Sequence, residues 1–117
     1  MKNNYILQID SEVNEELINN IIGVKKNYMS KIWCYEVVEE ESDNYFDFIN
    51  NFLDLLDGKY QDLTKIGIQK DDISIWRIYE YFGQCNMEFD PVRMKRLGDN
   101  EITLCITCYE VDSNSTT

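Results

Sequence analysis

The feature that most restricts the fold is a change of hydrophobic period along the chain. Between residues 45 and 56 the apolar positions Phe46, Ile49, Leu53 and Leu56 recur at helical spacing, and Tyr45, Phe48, Phe52 and Leu55 widen the stripe. That spacing lines up one face of an α-helix. Elsewhere the pattern becomes continuous or alternating and rich in β-branched and aromatic residues, in Tyr5–Ile9, Ile32–Val38, Ile73–Phe82 and Ile102–Tyr109. Such runs fit half-buried strands. A chain carrying both periods must pack helices on a sheet.

Local signals divide the rest. Asp10 or Ser11 can cap a helix carrying Val13, Leu17, Ile18, Ile21 and Ile22, with Gly23 as its stop. Ser42 reads as the cap of the central helix, with Asp43 in its first turn and Gly58 ending it. Tyr60 to Ile66 adds a further turn or two. Gly83-Gln84 has the signature of a type II′ turn, so Ile73–Phe82 is expected to form a hairpin with a strand over Cys85–Phe89. Asp90-Pro91 starts a brief helix over Val92–Leu97, stopped at Gly98.

The expected order is β-α-β-α-β-β-α-β. That is α+β: one mostly antiparallel sheet with helices on one face, of the ferredoxin-like or split-βαβ kind. A chain of 117 residues forms one domain, here 1–111, with 112–117 a polar tail expected to fray.

The expected hairpin sorts side chains by alternation. Trp76, Ile78, Phe82, Cys85, Met87 and Phe89 fall on a core face. Arg77, Tyr79, Tyr81, Asn86 and Glu88 fall on a polar-aromatic face. Glu80 spoils the core face, and a misplaced register explains it better than a buried carboxylate.

Charge and composition narrow the function. The net charge is −11, from 22 acidic and 11 basic side chains. Such a surface repels phosphate backbones and anionic membranes, and it favours a basic protein partner. The chain has no histidine, which excludes catalytic triads and imidazole-ligated metals built from its own residues. No run approaches the roughly 20 apolar residues of a membrane span. The start lacks the apolar region of a signal peptide, so the cytoplasm is the expected compartment.

Several motifs reduce to packing. Cys105 and Cys108 match C-x-x-C, but in a strand the two point to opposite faces and cannot share an ion. Cys108 belongs with Ile102, Leu104 and Ile106, and Cys105 with Thr103, Thr107 and Tyr109. Cys34 and Cys85 add no second close pair for zinc. The acidic run Glu36, Glu39, Glu40, Glu41, Asp43 and Asp47 lacks the spacing of a calcium loop. Asp71 and Asp72 bring no second carboxylate to a defined distance.

Ile75-Trp76, the Tyr-Phe-Gly-Gln-Cys-Asn-Met-Glu-Phe segment at 81–89, Asp90-Pro91, Leu97 and the closing Ile102–Tyr109 run together resemble the bacterial domain of unknown function 4279 family. The resemblance covers most of the chain. It implies a similar succession of strands and helices, and it carries over no activity and no catalytic residue.

These observations point to a small acidic protein-binding domain without enzymatic activity, an immunity or inhibitor protein for a basic bacterial toxin. The expected contacts are Glu39, Glu40, Glu41 and Asp43 on a rim, with Arg77, Tyr79, Tyr81 and Glu88 on the sheet. No cofactor, metal, nucleic acid or membrane is expected. A second copy of the chain is an allowed partner. The alternatives are an oligomerisation domain, or a thiol- or carboxylate-dependent enzyme or metal-binding protein.

Overall fold

The computed structural model describes residues 3–40 and 45–111. The chain runs β1 (Asn3–Ile9), α1 (Glu15–Ile22), β2 (Trp33–Glu39), α2 (Phe48–Leu56), α3 (Tyr60–Lys65), a single 3₁₀ turn, β3 (Ile73–Tyr81), α4 (Pro91–Asn100) and β4 (Thr103–Glu110). The four strands form one sheet in the order β2-β1-β3-β4. β1 is antiparallel to both neighbours, whereas β3 and β4 are parallel.

The fold is α+β, with its helices against one face of the sheet. The sheet is mixed, however, and the ferredoxin-like arrangement does not form. The cause is the segment after β3. Residues 82–90 make no strand, so the expected hairpin partner over Cys85–Phe89 is absent. The segment instead leads into α4, and α4 returns the chain to lie parallel to β3. Parallel neighbours require such a crossover, because a two-residue turn reverses direction.

The core lies between sheet and helices. β1 contributes Tyr5, Leu7 and Ile9, β2 contributes Trp33, and β3 contributes Ile73 and Ile75. Ile18 and Ile22 of α1, five residues of α2, Leu63 of α3 and Leu97 of α4 close over them. Tyr5 stacks on Phe48 with ring centroids 4.7 Å apart and leans on Phe46 at 5.4 Å. Trp33 donates its indole N–H to Asn19 Oδ1 at 2.8 Å, fixing α1 to β2.

Three helix limits differ from expectation. α1 begins at Glu15 and is capped by Asn14, whose side chain accepts from Glu16 N, so Asp10, Ser11 and Val13 precede the helix. The cap of α2 is Asp47, whose carboxylate accepts from Asn50 N; Ser42 lies outside the described residues. α4 passes through Gly98, which is exposed and has no atoms close to where a Cβ would sit. The helix ends instead at Glu101, in the left-handed region at φ 59°. The polar tail at 112–117 also lies outside the described residues.

Candidate functional site

The register settles which face each β3 side chain takes. Tyr5 pairs with Arg77, Leu7 with Ile75 and Ile9 with Ile73. Ile73 and Ile75 are core, so alternation puts Arg77, Tyr79 and Tyr81 on the helix side of the sheet. Trp76, Ile78 and Glu80 lie on the open face, the reverse of the expected assignment. Glu80 is therefore not in the core.

The helix layer covers the rows of the sheet around Ile9, Leu7 and Tyr5 and stops there. The next row runs Glu39, Asn3, Tyr79 and Cys108 across all four strands. Tyr81 and Glu110 form the row beyond it. This end of the sheet is a ledge on the helix side.

Hydrogen bonds and ring contacts connect the ledge. Asn3 Nδ2 donates to Glu39 Oε1 at 2.9 Å, and Arg77 Nε donates to Asn3 Oδ1 at 3.3 Å. The Arg77 guanidinium lies 4.9 Å from the Tyr79 ring centre and 5.8 Å from that of Tyr5. Tyr79 and Tyr81 are parallel within 7°, with centroids 6.3 Å apart. Among the described residues no carboxylate forms an ion pair with Arg77. Burial and then the Glu110 carboxylate hold the Tyr81 phenol above its ordinary value.

Glu39 also has an internal role. Its Oε2 accepts from Tyr5 Oη at 3.0 Å and from the Phe46 backbone N–H at 2.7 Å. It thereby satisfies a buried phenol and pins the chain just before α2. Glu36, on the opposite face of β2, accepts from Asn4 Nδ2 at 2.9 Å. The acidic residues of β2 thus divide between the two faces of the sheet.

The structure brings Glu39, Arg77, Tyr79 and Tyr81 into one connected group. Glu40 follows β2 and is exposed. Glu88 is exposed in the segment between β3 and α4 rather than on a strand, so its expected place opposite the tyrosines does not form. Glu41 and Asp43 lie outside the described residues. The acidic side chains of α2 are partly neutralised. Arg93 of α4 binds Asp47, and Arg96 binds Asp54 at 2.6 Å and Asn50 Oδ1 at 2.9 Å.

Asn3, the bridge of the group, escaped the sequence reading. Its role arises from the pairing of three strands distant in sequence, which no local signal reports. Phe82, 58% exposed just past β3, was expected in the core. Cys105 and Cys108 do take opposite faces, beside Trp76 and Tyr79 respectively. Among the described residues no three cysteine or acidic side chains converge as a metal site. No described helix is long and apolar enough to cross a membrane.

Comparison with known protein families, with characterised proteins and with solved structures finds no match.

Proposed function

We propose that this domain binds a basic protein partner and performs no chemistry itself. The observation that carries the reading is the ledge. Two stacked tyrosines and an arginine without a carboxylate partner among the described residues sit where the helices leave the sheet uncovered. Tyrosine and arginine are the residue types that anchor protein interfaces, because they bury large area and still offer directed polar atoms.

Glu40, Glu88 and Glu110 supply acidic groups on neighbouring segments, within a chain of net charge −11. Opposite potential on a partner would raise the encounter rate. A basic toxin held by an immunity protein is the partner class that this chemistry fits. Four free thiols fit a reducing compartment, which supports a cytoplasmic setting.

The test is affinity capture from native lysate at low salt, followed by titration of the captured protein. Tyr79→Ala and Tyr81→Ala should each weaken binding by about tenfold or more. Met29→Ala, at a fully exposed site in the α1–β2 connection, should leave binding unchanged. Reversing the charge of Glu40 and Glu88 should slow association and flatten its salt dependence. Equal affinity for wild type and a folded Tyr79→Ala/Tyr81→Ala variant would refute the ledge as the docking surface.

A further inference from the structure

The two edges of the sheet are finished differently. β2 is sealed along part of its outer side by Asn27. The Asn27 backbone N–H donates to Cys34 O at 3.1 Å. Its side-chain Nδ2 donates to Glu36 O at 2.9 Å, and its Oδ1 accepts from Glu36 N at 2.6 Å. One asparagine thus occupies the backbone positions that a fifth strand would use.

β4 has no such cover. Its backbone bonds go to β3, and Val111 N–H, just past its end, also donates to β3 at Tyr81 O. Among the described residues nothing pairs with its outer side. Proteins usually guard a free edge with lysine, proline, a bulge or a very short strand. β4 is eight residues long, has no proline or lysine, and carries its single charge at Glu110.

The absence of charge also indicates the occupant. Two copies of a chain with net charge −11 repel over most approaches. Thr103–Tyr109 has no charged side chain, so along this strand two copies meet without that penalty. The strand is also self-complementary about its centre. In an antiparallel pairing centred on Ile106, that residue faces its own copy. Leu104 then faces Cys108, Cys105 faces Thr107, and Thr103 faces Tyr109. Each pair keeps its side chains on one face of the sheet, as alternation demands. Ile106 and Tyr109, both exposed in the single chain, would gain cover.

We propose that β4 is a homodimer seam, joining two copies edge to edge into one continuous eight-stranded sheet. The two-fold axis then stands perpendicular to the sheet, so both helix layers lie on the same side. The ledges fall toward opposite ends of the seam, leaving both Tyr79–Tyr81 pairs on the outside of the paired strands. The inference therefore goes beyond partner binding through the ledge and can fail independently of it.

Sedimentation velocity and light scattering on the full chain test the seam. The expected species has twice the chain mass of 13.9 kDa. Ile106→Lys sets two ammonium groups against each other at the centre of the seam and should halve the mass. Thr107→Lys puts a charge on the opposite face, against Cys105 of the other copy and diagonal to its own counterpart, and it serves if Ile106→Lys lowers the folded fraction judged by circular dichroism. A wild type that stays at 13.9 kDa up to millimolar concentration overturns the proposal, including the case where it pairs only with a foreign strand. A dimer that survives both substitutions in folded protein overturns it as well.

Discussion

Arg93 grips Asp47 through two parallel hydrogen bonds, Nε to Oδ1 and Nη2 to Oδ2, each 2.9 Å long. The pair joins the start of α4 to the start of α2, and Asp90 adds a third bond to the same guanidinium at 2.8 Å. The Arg93 hydrogen bonds, acting against partial burial, lower the Asp47 carboxyl to about 2. A carboxyl lowered on folding contributes stability above its unfolded value, roughly 3.9, and that contribution is lost as pH falls through about 2. Both side chains are about one-third exposed, so solvent screening keeps the gain small. Thermal unfolding between about pH 6 and 2 should show the wild type losing stability more steeply than Asp47→Asn at the acid end. Asp47→Ala also removes the cap of α2, worth about 1 kcal/mol where the carboxylate is ionised.

Tyr5 and Glu39 supply a second linkage of opposite sign. Burial first, and then the bond to Glu39, push the Tyr5 phenol well above its ordinary value. A proton held more tightly in the folded state adds stability that is complete below the unfolded value of about 10 and fades as pH rises through the folded one. Tyr5→Phe should cost ~1 kcal/mol in urea unfolding, the usual net value of one hydrogen bond. Glu39→Ala should cost more, about 1–3 kcal/mol, because it leaves the phenol unsatisfied. The double variant should fall short of the sum. Ultraviolet titration should show one tyrosine that ionises only when the chain unfolds in alkali.

The difference between expectation and structure is clearest after Tyr81. The helix stripe of α2 and the strands β1, β2, β3 and β4 were all legible, because each carries its own hydrophobic period. Phe82, Cys85, Met87 and Phe89 alternate just as well, yet that stretch has no partner strand. Alternation reports which side a residue favours; it does not report whether a neighbour supplies backbone bonds. Once β4 is taken as parallel to β3, the segment must cross over, and the faces of β3 follow from Ile73 and Ile75 instead of Trp76. The ledge was legible in composition through Arg77, Tyr79 and Tyr81. Its position was not, because which rows the helices leave bare depends on where α2 begins. Asp47 rather than Ser42 sets that start, through a clasp with Arg93 that lies 46 residues away in sequence.

The four thiols should react in order of their surroundings. Cys34 lies on the open face of the sheet but is only 3% exposed, and burial raises its pKa. Both effects lower the thiolate available to an alkylating agent. Cys108 is exposed on the edge strand. Iodoacetamide labelling of the native protein, followed by peptide mass analysis, should modify Cys108 first and Cys34 last, with a difference of about tenfold or more. Urea should remove the difference. Dimerisation through β4 should slow Cys108 labelling as protein concentration rises.

Glu101 is the one described non-glycine residue in the left-handed region, at φ 59°. It terminates α4 there, with its backbone N–H returning to Gly98 O and Leu97 O. That backbone crowds any Cβ, at a cost of roughly 1–2 kcal/mol, and glycine alone escapes it. Gly23, at φ 92°, ends α1 in the same conformation without the cost. Glu101→Gly should therefore stabilise the chain by about 1 kcal/mol, less whatever glycine regains in unfolded-state entropy. Glu101 is exposed, so the substitution uncovers no core. The urea midpoint should rise with the slope unchanged, whereas Glu101→Ala, which keeps a Cβ, should leave it nearly where it is. Equal midpoints for the glycine and alanine variants would show that the left-handed turn stores no strain.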